Sequence, residues 1–239
     1  MPKNYLYGLA VQGIQSYIFS TNKLKEIIGA SELVEDVCTS LFTKFVNNNT
    51  NGISYLQAAG NIRYSTNKAC AEKLMLEFGL EVNKTAPGLP FSQAIVEIKS
   101  NDIEKARILL ENKLRAERNR SFNHVALGTM ERSKQRRTGE FAYNKVENSD
   151  DDFLDEVTYA KYKKSGGRLL AEKIDEKIRD NYVFPKEFSD ISKGGQHSWL
   201  ALIHIDGNGM GTKIQSILSD EKVKDKFDEL KKFSKKVGG

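Results

Sequence analysis

A chain of 239 residues lies between one large domain and two ordinary ones, since domains run to roughly 100–200 residues each. A hydrophobic fraction of 39% beside 29% charged residues suits a soluble globular protein that buries a core, and no apolar run approaches the ~18 residues of a membrane span. The net charge of +5 is mild, and Cys38 and Cys70, far apart and without metal-type spacing, exclude a disulfide framework or a cysteine zinc site and read as small buried residues. The N-terminus enters a strand pattern within a few residues, without a basic region, long apolar stretch and cleavage site, so the expected location is cytoplasmic.

Tyr5 to Val11 alternates like a strand, and QGIQSYIFSTN leads into a long amphipathic helix from about Lys23 to Phe45. Its stripe includes Leu24, Ile27, Ile28, Val34, Val37, Leu41 and Phe45. Gly29, Ala30 and Ser31 suit close packing on a neighbour, and Ser31 has no histidine nearby in sequence to make it a nucleophile. After an NNNTNG loop, two short apolar segments around Ala59, Gly60 and Asn61 predict a tight hairpin. Residues 67–78 read as helix, Pro87 and Pro90 break the pattern, 91–100 is a strand, and Asp102 starts a helix to about Arg118 with Asn101 as its cap. Strand, helix, hairpin, helix, strand is the order of an α+β, ferredoxin-like or palm-type sheet with helices on one face.

Residues 120–195 are less regular. FNHVALGTM reads as a strand, RSKQRRTGEF as a basic loop, 147–156 as an acidic linker, and GGRLLAEKIDEKIRDN as a helix after a glycine pair. Lys113, Arg115, Arg118, Arg120, Arg132, Lys134, Arg136 and Arg137 fall in one stretch that could track phosphates, with Phe122, Phe141 and Tyr143 as stacking aromatics. The plainer alternative is a solvated helix face, a charged loop, and aromatics of core or rim. SKGGQHS at 192–198 reads as a domain junction, followed by a strand from Trp199 to Ile205 and helices from Thr212 and Glu221.

That last strand ends in Asp206, beside Gly207, Asn208, Gly209, Met210 and Gly211. The turn fits neither a phosphate loop, nor a dinucleotide fingerprint, nor a calcium loop, where Met210 and Ile217 would stand at ligand positions. A palm-type nucleotidyl-transfer site suits it better, because that chemistry holds hard divalent cations about 3.5–4 Å apart on carboxylates placed at strand ends. Bare glycine backbone admits a triphosphate, the following helix start favours anions, and Lys213 could reach the same charges. A simple Asp-Gly turn is the alternative. Placing VQGIQ (11–15) over IDGNG (205–209) aligns two strand ends, with Gln12 in the first copy where the second has Asp206. His124, His197 and His204 share no ligand spacing; His204 faces the same side of its strand as Asp206 and reads as an ordinary half-buried histidine.

GIQSYIF and KLKEIIGASELVEDV (13–37), LQAAGN (56–61), RRTGEFA (136–142) and LALIHIDGNGMGTKI (200–214) resemble the large palm-domain subunit of type III CRISPR effector complexes, the CRISPR polymerase or cyclic oligoadenylate synthetase. The resemblance implies two ferredoxin-like, nucleotide-cyclase-like palms, the first usually degenerate, the second converting ATP to cyclic oligoadenylate with a metal-binding G-G-D-D hairpin. It implies Asp206 as metal ligand and catalytic residue with Mg2+ or Mn2+. Gly207, Asn208, Gly209, Met210, Gly211 and Lys213 would lie beside ATP, and Gln12, Gly13, Gly60 and Asn61 would form the equivalent nucleotide face of the first palm. Implied partners are a nucleoside triphosphate, RNA and RNA-guided effector subunits, with no membrane.

The chain departs from the pattern in having no G-G-D-D, no HD nuclease motif and no zinc cysteines near RRTGEFA. Too few residues follow Asp206 to bring a second carboxylate. The expected organisation is a degenerate first palm over 1–119, a connector over 120–195 and the opening of a second palm over 196–239, as a fragment or a shortened relative. As it stands such a chain is not expected to catalyse. The competing readings are the N-terminal part of a nucleotidyltransferase, an inactive palm module that binds nucleotide, RNA or an effector complex, and a nucleic-acid scaffold.

Overall fold

The computed structural model describes residues 4–49, 52–99, 102–120, 141–142, 144–146 and 153–166, with short stretches and single positions between 172 and 233. Strand β1 (Asn4–Val11) is central in a four-stranded antiparallel sheet of order β2-β3-β1-β4, where β2 is Gly52–Ala58, β3 Asn61–Asn67 and β4 Phe91–Glu97. Two helical layers connect these strands: α1 (Ile14–Ile18), α2 (Leu24–Asp36) and α3 (Phe42–Asn49) between β1 and β2, then α4 (Lys68–Lys73) and α5 (Gly79–Thr85) between β3 and β4. This is the ferredoxin-like arrangement expected from the order of elements, with an antiparallel sheet in a mixed α+β fold.

Alternation along β1 decides the two faces. Tyr7 and Leu9 point with Ile62 and Tyr64 into the larger core, against Ala30, Leu33, Val37 and Phe42 from one helical layer and Leu74, Phe78 and Val82 from the other. Phe42 sits at the centre of an aromatic cluster, 5.4 Å from Tyr64 and 5.2 Å from Phe78 edge-on, and 6.5 Å from Tyr7 in near-parallel stacking. Two π-helical turns, Val37–Leu41 and Leu74–Phe78, precede or contain these phenylalanines.

The opposite sheet face is also covered. Leu6, Ala94 and Val96 pack against Ala106, Leu110 and Leu114 of α6 (Ile103–Arg118), so helices lie on both faces rather than one. The reason is in β1: at Gly8 a Cβ would stand 2.8 Å from Leu110 Cδ2, so the missing side chain lets α6 seat on the strand. Arg63 ties this face together, its Nε and Nη2 donating to the two Glu111 oxygens at 2.8 and 3.0 Å and its Nη1 to the Leu9 carbonyl at 2.9 Å.

Several boundaries differ from expectation. The helix predicted over 67–78 continues through α5 to Thr85, and the strand over 91–100 ends at Glu97. The cap of α6 is Asp102, not Asn101, because the Asp102 carboxylate accepts the Lys105 N–H at 3.0 Å; that bond holds its carboxyl below the usual range. The acidic run is more than a linker: after strands β5 (Asn144–Lys145) and β6 (Phe153–Leu154), the buried Asp155 caps α7 (Glu156–Lys164) by accepting from Thr158 N at 2.9 Å. Helix α7 packs on α2 at Gly29, where a Cβ would stand 1.8 Å from the Lys161 carbonyl oxygen. Further on, α8 (Glu176–Asn181) and α9 (Phe188–Ile191) are short, and FNHVALGTM, residues 132–137 and 199–205 lie outside the described residues. No helix among the described residues is long and apolar enough to cross a membrane.

Two outcomes follow. Replacing Phe42 by Ala should cost about 3–5 kcal/mol in denaturant unfolding, as for other buried aromatics. Burial pushes the Cys38 thiol up to about 12 from an ordinary value of 9.0, and it raises Tyr7 as well, so both stay protonated in the fold. The unfolded chain releases those protons first, so their contribution is complete below pH 9 and is lost as pH rises toward 12. Urea midpoints should fall across that window, and less steeply in Cys38→Ala.

Candidate functional site

The end of β1 is held from both sides. Val11 N donates to the Gly60 carbonyl at 2.7 Å, and Gln12 N donates to the Pro90 carbonyl at 2.8 Å. The first bond brings the tip of the β2–β3 hairpin to the strand end; the second brings the loop before β4. Ala59 at φ 49 and Gly60 at φ 78 are both left-handed, the backbone that a two-residue hairpin turn requires. Only glycine fits the second position without crowding, since a Cβ there would meet Ile14 Cδ1 at 2.9 Å and Val11 Cβ at 3.1 Å. Asn61 spends its amide locally, Nδ2 donating to the Ala59 carbonyl at 3.0 Å.

Gln12, Gly13, Gly60 and Asn61 therefore stand together at one end of the sheet. Gly13 is exposed and left-handed at φ 53, and it opens α1. Gln12 Nε2 is a buried donor with no acceptor among the described residues, although buried amides ordinarily find one. A hard divalent cation takes carboxylate and carbonyl oxygens. This end of the sheet offers an amide and two carbonyls already bonded to Val11 and Gln12, and no group of three His, Cys, Asp or Glu gathers among the described residues. The residues here do not fit a metal.

Of the second set, Gly209 is an exposed turn residue at φ 72, and its carbonyl accepts the Lys213 N–H at 2.9 Å, with Thr212 and Lys213 helical and exposed. Asp206, Gly207, Asn208, Met210 and Gly211 lie outside the described residues, as do His124, His197, His204, Phe122 and Tyr143. Of the other candidates, Ser31 Oγ donates to the Ile27 carbonyl at 3.0 Å, a bond within its own helix, and Cys38 is buried while Cys70 is half-exposed. Lys113 Nζ donates to the Ile95 carbonyl at 3.0 Å, Arg120 pairs with Glu117 at 3.2 Å, and Phe141 is half-buried.

Sequence patterning gave Pro90, Tyr17 and Lys161 no part in a site, although Pro90 bonds Gln12 and the other two meet on the helix that follows the strand. Tyr17 Oη donates to the Pro87 carbonyl at 3.5 Å, and Lys161 Nζ reaches the Tyr17 carbonyl at 2.6 Å. The two prolines marked a break in the pattern, but an interaction 144 residues apart in sequence leaves no local trace.

Solved structures similar to this chain include those of Csm1–Csm4 assemblies. One is the subcomplex of the type III-A CRISPR-Csm interference complex, at 16% identity and a TM-score of 0.37, covering 48% of this chain and 18% of that one. Another is in complex with cA3, at 16% identity and a TM-score of 0.38, covering 48% and 19%. A third is in complex with AMPPNP, at 17% identity and a TM-score of 0.37, covering 48% and 18%. The aligned part is thus less than a fifth of the length of those chains. No family model and no curated protein matches the chain.

The hairpin tip supplies a direct test of this geometry. Gly60→Val should lower stability by about 1–3 kcal/mol through backbone strain and crowding at Val11 and Ile14, read as a shift in denaturant midpoint.

Proposed function

We propose that this chain is the N-terminal part of a CRISPR-polymerase-like protein of antiviral defence. In this reading residues 1–119 form a degenerate palm, 120–195 a connector and 196–239 the opening of a second palm. The first palm offers a nucleotide the face made by Gln12, Gly13, Gly60 and Asn61. The second offers Asp206, Gly207, Asn208, Gly209, Met210, Gly211 and Lys213. Asp206 is the residue that would hold Mg2+ or Mn2+, whose role when bound is to neutralise the triphosphate. In its complete form the protein binds ATP with that cation and makes cyclic oligonucleotide signals, in the company of RNA and RNA-guided effector subunits.

The observation that carries the reading is the juxtaposition at the end of β1: a glycine hairpin tip bonded to the strand, and beside it a glutamine amide without an acceptor among the described residues. An amide can donate to a phosphate, ribose or base oxygen without adding charge, which suits a palm that contacts nucleotide and leaves ionic chemistry elsewhere. A second reading, an inactive palm module that binds nucleotide, RNA or an effector complex, is favoured by one specific feature. Gln12, Ala59, Gly60 and Asn61 place no carboxylate where an active palm needs it.

Calorimetric titration of ATP with Mg2+ or Mn2+ into the full-length protein tests this. Asp206→Ala should weaken metal-dependent binding by about tenfold or more, and Gln12→Ala by about fivefold with or without metal, the worth of one hydrogen bond. Equal binding by wild type and both variants would remove the site assignment. ATP binding without any cyclic product would leave the inactive module.

A further inference from the structure

Lys161 is 2% exposed, and an ammonium taken from water needs partners to replace its hydration. It has them on α1 and the turn that follows. Nζ donates to the Tyr17 carbonyl at 2.6 Å and to Ser20 Oγ at 2.7 Å, and lies 4.1 Å from the centre of the Tyr17 ring. Burial lowers the Lys161 pKa, and the Glu26 and Asp155 carboxylates oppose that by favouring the charged form. Glu26, itself buried, accepts from Thr21 Oγ1 in the same turn. The partner that matters is the Tyr17 carbonyl, one of the last in α1, where intrahelical donors run out; it accepts from Lys161 Nζ and, at 3.0 Å, from Ser20 Oγ, which Lys161 also holds. Helix α1 has only five residues, held by bonds such as Tyr17 N to the Gly13 carbonyl and Phe19 N to the Gln15 carbonyl. So short a helix has little stability of its own.

The same helix α7 braces the other side of the strand end. Val157 packs on Gly88, where a Cβ would meet its Cγ2 at 2.8 Å, and this is the loop whose Pro90 carbonyl accepts from Gln12 N. Lys164 Nζ to Asp36 Oδ2 at 2.6 Å secures the far end of α7 on α2.

We propose that Lys161 is a positioning residue for the nucleotide face of the first palm. Its ammonium fixes the C-terminal end of α1, and together with Val157 it makes α7 a brace on both walls that flank Gln12. The part concerning nucleotide rests on the function proposed above. The consequence is that α7, a segment after the palm's own sheet, contributes to the affinity of that face.

Hydrogen exchange on the full chain without nucleotide tests the positioning. Lys161→Met keeps the stem and removes the ammonium; Lys161→Arg keeps charge and donors. In Lys161→Met the Tyr17 and Phe19 amides should exchange on the order of tenfold faster, with Tyr7 and Tyr64 in the sheet unchanged, and Lys161→Arg should restore much of the protection. Unchanged α1 protection in Lys161→Met overturns the proposal, because packing of the stem alone predicts that result. Should Lys161→Met fail to fold, Val157→Ala decides the matter at the Gln12 amide, whose protection should drop and whose constancy would count against the brace. ATP titration into the same variants then separates the two ideas. Affinity about tenfold weaker in Lys161→Met and recovered in Lys161→Arg supports coupling, and equal affinity despite a loosened α1 refutes it. If wild type itself binds no ATP, the proposed function fails while the exchange data still settle the role of Lys161.

Discussion

A strand buried on both faces and bonded along both edges governs this molecule. Strand β1 pairs with β3 on one side and β4 on the other, sends Tyr7 and Leu9 into the larger core, and yields at Gly8 to admit α6 on the reverse. A strand so enclosed has no freedom of register, because a slip of one residue would exchange its two buried faces. Its C-terminal end is therefore a fixed point, and the hairpin tip and the Pro90 loop are fixed relative to it by one backbone hydrogen bond each. The grouping of Gln12, Gly13, Gly60 and Asn61 is a by-product of that enclosure.

Elements whose cause is local could be read from the residues. The apolar stripe from Leu24 to Phe45 forms the expected helix, and Ala59–Gly60 forms the expected tip, because each is dictated by spacing or by backbone geometry within a few positions. Gly29 with Ala30 marked a close packing that the structure places against α7. What was illegible has a distant cause. Asp155 sits in an acidic run whose composition suggests solvent, yet it is buried as a cap, and only Thr158 three positions on hinted at it. Lys161 looks like any basic residue of α7 among Lys163 and Lys164; its burial depends on a pocket made by Tyr17, Ser20 and Glu26 on other elements. The second helical cover of the sheet was likewise hidden, since a lone glycine in a strand does not say what fills the space.

The candidate site divides along the same line. The likeness of VQGIQ to IDGNG rests on a handful of positions, and the first of the two segments meets a glycine hairpin tip at a strand end, as a palm would have it. In the function proposed here, glutamine at that position is a chemical change and not only a loss: it puts a group that donates to neutral or anionic oxygen where the second segment has a carboxylate.

The two π-helical turns carry a further consequence. Each accommodates an extra residue within an otherwise α-helical run, so the chain between Gly29 and Phe42 is one residue out of phase with an ideal helix. Deleting a single residue in Val37–Leu41 would relax that turn to regular helix and leave Phe42 against Tyr64 and Phe78, whereas the same deletion in the regular helix between Gly29 and Asp36 would swing everything after it by about 100° around the axis. The helix thus works as a vernier between two surfaces: one end is indexed to α7, the other to the aromatic cluster, and the wide turn takes up the odd residue in between.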